Sequence, residues 1–432
     1  MKTRLTLALV FAVILIFAAC KNTVDPSHTH DFGDWKVVAQ STFVTEGRET
    51  KTCNTCGATG SHQTIPTKPV TNITDWNAAL AEIRGGGNGK SYTITIDGDI
   101  TGMTVMPGTA TATAGFGTVT PLTVTLKGSG TLDTTNSQGT MFRLHSGRTL
   151  IIDGEDLILR GRKGGQGPHA ANAYNTSAII YIENGGSLEL RNGTISGNHV
   201  YNIGNVGGGV DVRGTFTMNG GKISDNSNGG ANVNLGGGVY VSGGTFTMNG
   251  GEISGNSSNN TSTSYRLGTG VYMNSGTFNM NGGKISDNYA NGSGSNYGAG
   301  VYMNGGTFNM YGGEISGNSV RDGSTNQGGG VYMNGGTFTI YSGTISGNSA
   351  SDGGGVYVYG GTFRIVTGTV YGSDASPTTL RNRATSGAAL YSRYTNYAQY
   401  GTYSGTNWVG TNLISSGTVF DTTINVLNGQ LQ

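Results

Sequence analysis

Along most of this chain, hydrophobic residues fall two apart in short tracts and then stop. In "GGGVYVSGGTFTMNGGEISGN", residues 236–256, the apolar positions are Val239 and Val241, then Phe246 and Met248, then Ile253. A period of two marks a strand with one buried face, so the stretch predicts three short strands. Gly-Gly and Asn-Gly pairs divide them, and these residues accept the positive φ of a sharp turn. The frame begins again at Gly207, Gly236, Gly268, Gly298, Gly328 and Gly353. It runs 21 residues to the Asn of its "ISxN" tract, and the first copy is one residue shorter at Arg213-Gly214. Spacers between frames vary from eleven residues (Ser257 to Leu267) to four (Ser349 to Asp352), which predicts a rigid core with elastic loops.

Hairpins within each unit would give no reason for identical residues at a fixed offset. One coil of a parallel β-solenoid per unit does, because each residue then lies about 4.8 Å above its counterpart one repeat earlier. Three apolar columns follow from that stacking. Leu188, Phe216, Phe246, Phe278, Phe308, Phe338 and Phe363 form the first. Leu190, Met218, Met248, Met280, Met310, Ile340 and Ile365 form the second, and Ile195, Ile223, Ile253, Ile285, Ile315, Ile345 and Val370 the third. At the next corner Asn198, Asn226, Asn256, Asn288, Asn318 and Asn348 predict a ladder of stacked amides. Lys222, Glu252, Lys284 and Glu314 alternate in sign at one position, so each charge meets its opposite, worth roughly 0.2–1 kcal/mol a pair. Side chains alternate across a strand, so Tyr181, Tyr240, Tyr272, Tyr302, Tyr332 and Tyr357 should point away from the flanking Val and Met. They read as an exposed aromatic strip that a glycan or protein could recognise, or as stacked rings that merely steady neighbouring strands.

Composition alone points elsewhere. With 78 Gly in 432 residues and 11% charged residues, the chain sits near the low-complexity range, and only the periodicity overrides that reading. The net charge of +1 gives no basic stripe, so no nucleic-acid partner is expected. The first 20 residues, "MKTRLTLALVFAVILIFAAC", carry Lys2 and Arg4 and then an apolar run too short for a comfortable membrane span. They read as an export signal. Ala18-Ala19-Cys20 resembles the lipobox of bacterial lipoproteins, with Phe17 in place of the usual Leu. That resemblance implies acylation at Cys20 (palmitate or a similar chain), membrane lipid as a partner, and an outer-membrane location; an ordinary secretory signal is the alternative.

After a linker at 21–27, residues 28–66 form a small Cys and His module. Its "HTHDFGDWK…CNTCG" text resembles a short module of bacterial surface proteins with an H-x-x-x-x-W start and a C-x-x-C-G end. Cys53 and Cys56 have the spacing of half a zinc knuckle, which His30 and His62 could complete as a Zn²⁺ site. A Cys53–Cys56 disulfide is the alternative in an exported protein. Residues 72–90 hold one amphipathic helix, with Asp75 as N-cap, Trp76, Ala79, Leu80 and Ile83 on one face, and Gly85 as the stop. Placed before a solenoid, it reads as an end cap. Coils are expected over 91–375, regular from 178 to 373, with a C-terminal cap of strands at 376–432. The tail's Tyr391, Tyr394, Tyr397, Tyr400 and Tyr403, with Arg393 and Trp408, offer a second stacking surface for sugars.

Over residues 72–432 the frame resembles the right-handed parallel β-helix repeats of bacterial surface lipoproteins and autotransporter-like or polymorphic outer-membrane proteins, grouped with pectin-lyase-like folds. The resemblance implies a right-handed coil displayed at the cell surface. It carries no catalytic residue with it. The fold expected is therefore all-β, a right-handed parallel β-helix with an N-terminal helical cap, behind a lipoprotein signal and a Cys/His module. The function expected is non-enzymatic, an adhesin-like binder of glycan or of host or matrix protein. A passive coat or spacer is one alternative. A polysaccharide lyase or hydrolase is another, with Asp153, Glu155 and Asp156 near Arg160, Arg162, Lys163 and His169 as its candidates. Glu252 and Glu314, each beside a Lys, read as neutralised scaffolding.

Overall fold

The computed structural model describes residues 29–103, 115–134, 138–162, 175–200, 207–229, 233–259, 265–393, 398–404, 407–412 and 419–432. The chain forms two compact units, Met1–Pro69 and Val70–Gln432.

The first unit contains an antiparallel sheet of β1 (Lys36–Ala39), β2 (Gly47–Thr52) and β3 (Thr59–Ile65), in that order. The second opens with α1 (Ile73–Gly86), which buries Trp76, Ala79, Leu80 and Ile83 as its pattern predicts. Trp76 meets Phe142 edge to face at 6.1 Å. The N-cap is Asn72, not Asp75: the Asn72 amide oxygen accepts from the backbone N–H groups of Thr74 and Asp75. Asp75 lies one turn in, where its carboxylate accepts from the Thr71 N–H and hydroxyl and from the Asn72 amide. Either residue type satisfies the orphan donors of a first turn. The helix also runs past Gly85, ending at Gly86 before Gly87 at φ 81°.

From Lys90 onward the chain is an all-β parallel solenoid of about nine turns. In the turn 298–327, Val301–Met303, Thr307–Met310 and Glu314–Ser316 pair with their counterparts one repeat away. Phe216, Phe246, Phe278, Phe308, Phe338 and Phe363 are in register and fully buried. Their rings stack at 4.7, 4.6, 4.5 and 4.4 Å from Phe216 to Phe338, matching the strand spacing. The first column continues back through Leu150 and Val124 and forward to Ala398.

Where the spacers are described, they form strands rather than the elastic loops their varied length predicts. Ser319–Arg321 belongs to a five-stranded parallel sheet, and Thr325–Gln327 to a separate four-stranded one. Both sheets are built from spacer strands of successive turns, such as Tyr289–Asn291 and Ser295–Tyr297. At the C-terminus, antiparallel strands occupy the last edges: Ile424–Leu427 lies on Gly368–Val370, and Val419–Phe420 on Leu390–Ser392.

Candidate functional surfaces

The tyrosine strip points away from the Phe core, as strand alternation requires, but apart from the half-buried Tyr181 it does not reach solvent. Tyr240, Tyr272, Tyr302, Tyr332 and Tyr357 are 2–7% exposed and form a second buried cluster with Leu235, against which Leu267, Tyr297 and Tyr391 pack. The spacer strands supply that cover, which corrects the reading of an exposed strip. Rings at 5.1–5.3 Å, within 5° of parallel, run from Tyr240 to Tyr357. Burial pushes the Tyr272 and Tyr357 hydroxyls up to about 12, and raises Tyr302 and Tyr332 as well.

The polar surface lies on the other broad face, outside the Thr-Phe-x-Met strands. Thr215, Thr245, Thr277, Thr307, Thr337 and Thr362 stand in register there, exposed or half-buried. Beside them run Thr217, Thr247, Asn279 and Asn309, where the Asn309 amide donates to Asn279 at 3.0 Å. The strand's two corners carry amide ladders of their own. Asn281 donates to Asn249 and Asn249 to Asn219, each at 2.7 Å. Across the face, Asn334 donates to Asn304 at 3.0 Å and Asn304 to Asn274 at 3.2 Å. Further along, Tyr311, 47% exposed, stacks on Tyr341 at 4.7 Å, and Tyr403 and Trp408 extend the aromatic group. Arg364 lies over the Trp408 ring at 5.0 Å and donates to the Tyr403 hydroxyl. These outer ladders escaped the sequence reading, although the Asn after each Val-Tyr-Met tract and after the first three Phe-x-Met tracts was their signal.

The predicted Asn ladder is inside and longer than foreseen, running from Asn175 through Asn198, Asn226, Asn256, Asn288, Asn318 and Asn348 to Asn382, all fully buried. Side-chain amides join Asn256 to Asn288, Asn288 to Asn318 and Asn318 to Asn348 at 2.9–3.0 Å. This explains a glycine of the frame. A Cβ on Gly300 would stand 2.5 Å from the Gly330 carbonyl oxygen and 3.0 Å from the Asn318 amide nitrogen.

Carboxylates of the regular turns are neutralised as expected: Lys222 meets Glu252 at 3.4 Å and Lys284 meets Glu314 at 3.0 Å. Asp153 is taken up by Asn192 and Arg191, and Arg160 pairs with Asp133 rather than with Asp153, Glu155 or Asp156. A different cluster stands out among the described residues. Asp211 interrupts the tyrosine column between Tyr181 and Tyr240, with no side-chain exposure and its Oδ2 unpartnered. Burial drives its carboxyl up to about 6 against the pull of Arg213, 3.5 Å away. Arg143 and Arg213 lie over the Tyr181 ring at 4.7 and 4.9 Å. One turn before Arg213, Glu183 accepts from Arg143 and His145, and these bonds outweigh partial burial to hold it below the usual carboxylate range.

In the small unit, His30, Cys53 and Cys56 converge, their ligand atoms all within 4.8 Å of one another. His62 does not join them. It sits opposite Thr50 on β2, and Arg48 donates to its ring at 3.1–3.2 Å. Cys20, His28, Lys163, His169, Tyr394 and Tyr397 lie outside the described residues.

No family model, no curated protein and no solved structure matches this chain.

Proposed function

We propose that this chain is a non-enzymatic, surface-displayed binding rod, exported by its first 20 residues, tethered to the outer membrane through lipid on Cys20, and engaging a glycan or host matrix protein along one broad face. The right-handed coil and the closing role of α1 belong to the same reading. The observation that carries it is the outer face of the Thr-Phe sheet. A row of Thr hydroxyls repeats there at the strand spacing, flanked over several turns by Asn amides, so a linear polymer with regularly placed hydroxyl groups meets a donor and an acceptor at each of those turns. A ladder amide spends one N–H on its neighbour and keeps the other for a ligand. The exposed Tyr311 end adds an apolar edge for sugar or peptide.

The test is a glycan and matrix-protein binding screen with the chain from residue 21. Joint replacement of Asn249, Asn281 and Tyr311 by Ala should cut retention at least tenfold with the melt unchanged. The buried Tyr302→Phe should leave retention unaltered. Equal loss in both variants would contradict the assignment of the face.

A second reading is polysaccharide cleavage, for which Glu183, half-buried beside Arg143 and His145, is the acidic group a substrate could reach. New reducing ends or unsaturated products from acidic polysaccharides would establish it.

A further inference from the structure

We infer that His30, Cys53 and Cys56 form a zinc site that holds the small N-terminal unit together, with a fourth position left for a ligand other than His62. The inference is independent of the binding face.

Geometry is the first ground. The Cys56 thiol and His30 Nδ1 lie 3.4 Å apart, and all three ligand atoms fall within 4.8 Å. Zn–S and Zn–N bonds of tetrahedral zinc place such atoms about 3.5–3.8 Å apart, so side-chain movements of about an ångström complete the set. The backbone already presents the two cysteines. Cys53 N–H donates to the Ala58 carbonyl and Gly57 N–H to the Cys53 carbonyl, closing the knuckle turn, with Gly57 at φ 73°. The His30 segment is fixed to that turn from the other side. Phe32 bridges to Cys53, Asn54 N–H donates to the Asp31 carbonyl at 2.8 Å, and the Asn54 amide donates to the Asp31 carboxylate.

The second ground is what the unit lacks. Among its described residues up to Pro69, only Val44 and Cys53 are buried apolar side chains, and all four residues of β1 are exposed, Val37 and Val38 by 47% and 56%. A chain of this size without a core needs a staple. A Cys53–Cys56 disulfide closes a loop of two intervening residues and so constrains little of the unfolded chain. A metal shared with His30 ties the first described residues to the β2–β3 turn. Two thiolates and an imidazole are the donors that soft-leaning Zn²⁺ selects over Mg²⁺ or Ca²⁺.

The experiment uses the full chain in detergent with Cys20→Ser, so that the only thiols are the two in question. Elemental analysis after purification under reducing conditions should give one zinc per chain. Replacement by Co²⁺ should give the visible bands of a tetrahedral site together with sulfur-to-metal charge transfer. Cys53→Ser or Cys56→Ser should abolish both signals, His30→Ala should weaken Co²⁺ binding at least tenfold, and His62→Ala should leave it unchanged. Chelation should remove amide-exchange protection from β2 and β3 while the solenoid keeps its own, a readout that does not depend on any variant folding. Substoichiometric metal in every preparation, Co²⁺ bands lacking sulfur charge transfer, or loss of binding in His62→Ala equal to that in His30→Ala would each overturn the site. So would thiol trapping of the exported chain that finds Cys53 and Cys56 wholly disulfide-bonded.

Discussion

Asn318 ties its turn to the turns on both sides through four hydrogen bonds. Its amide nitrogen donates to the Ile285 carbonyl and to Asn348, and its amide oxygen accepts from both the backbone and the side chain of Asn288. Asn318→Ala removes the acceptor of the buried Asn288 N–H and costs about 1–3 kcal/mol. Native-state hydrogen exchange should show the Asn288 amide opening on the order of a hundredfold more readily, with distant turns unaffected. Asp211 works the other way. Its carboxyl is neutral in both folded and unfolded chains below about pH 4. As pH rises through about 6, the unfolded chain has already ionised and the folded one ionises only at a cost. Stability is therefore lost between these values and stays lost above them, by up to roughly 3 kcal/mol. Asp211→Asn should raise the melting temperature at pH 7.5 and leave it unchanged at pH 4. A gain at pH 4 as large as that at pH 7.5 would contradict the burial of an ionisable group there.

At the scale of the element, most strands of the regular turns contribute three or four residues, too few to stand alone, and gain their stability from the copy above and below. Phe308→Ala should open a gap between Phe278 and Phe338 and cost about 3–5 kcal/mol, read as a lowered thermal midpoint; an unchanged melt would contradict the inward stack. Which elements were legible in the sequence follows from the same physics. The Val-Tyr-Val, Thr-Phe-Thr-Met and Glu-Ile-Ser strands repeat identical side chains at a fixed offset, and every column drawn from them is in register. The spacer strands pair just as regularly, but their columns are short, polar and broken, as in Ser227, Ser257, Tyr289 and Ser319, and they carry no apolar alternation. Backbone pairing and a few polar side-chain contacts, such as Asn296 donating to Asn326, hold that register, and the variable spacing of these residues hides it from a search for a fixed period. The misplaced N-cap has a similar cause, since Asn72 and Asp75 are both competent at a helix start and only φ and ψ separate them.

For the whole molecule, the spacer sheets change where function can lie. They convert the tyrosine column from an aromatic strip into a second core beside the phenylalanine one, and they leave the Thr and Asn face as the regular polar surface available to a partner. The sequence located the columns correctly but had no means of saying that a spacer would fold over one of them. The most direct test of this arrangement is tetranitromethane modification of the folded protein, mapped by mass spectrometry. Tyr311, Tyr265 and Tyr359, 47%, 52% and 38% exposed, should be nitrated, while Tyr272, Tyr302, Tyr332 and Tyr357 stay unmodified until the chain is denatured. Nitration of Tyr302 and Tyr332 in the native protein as fast as Tyr311 would mean that the spacers do not cover the column, and the binding face would have to be sought there again.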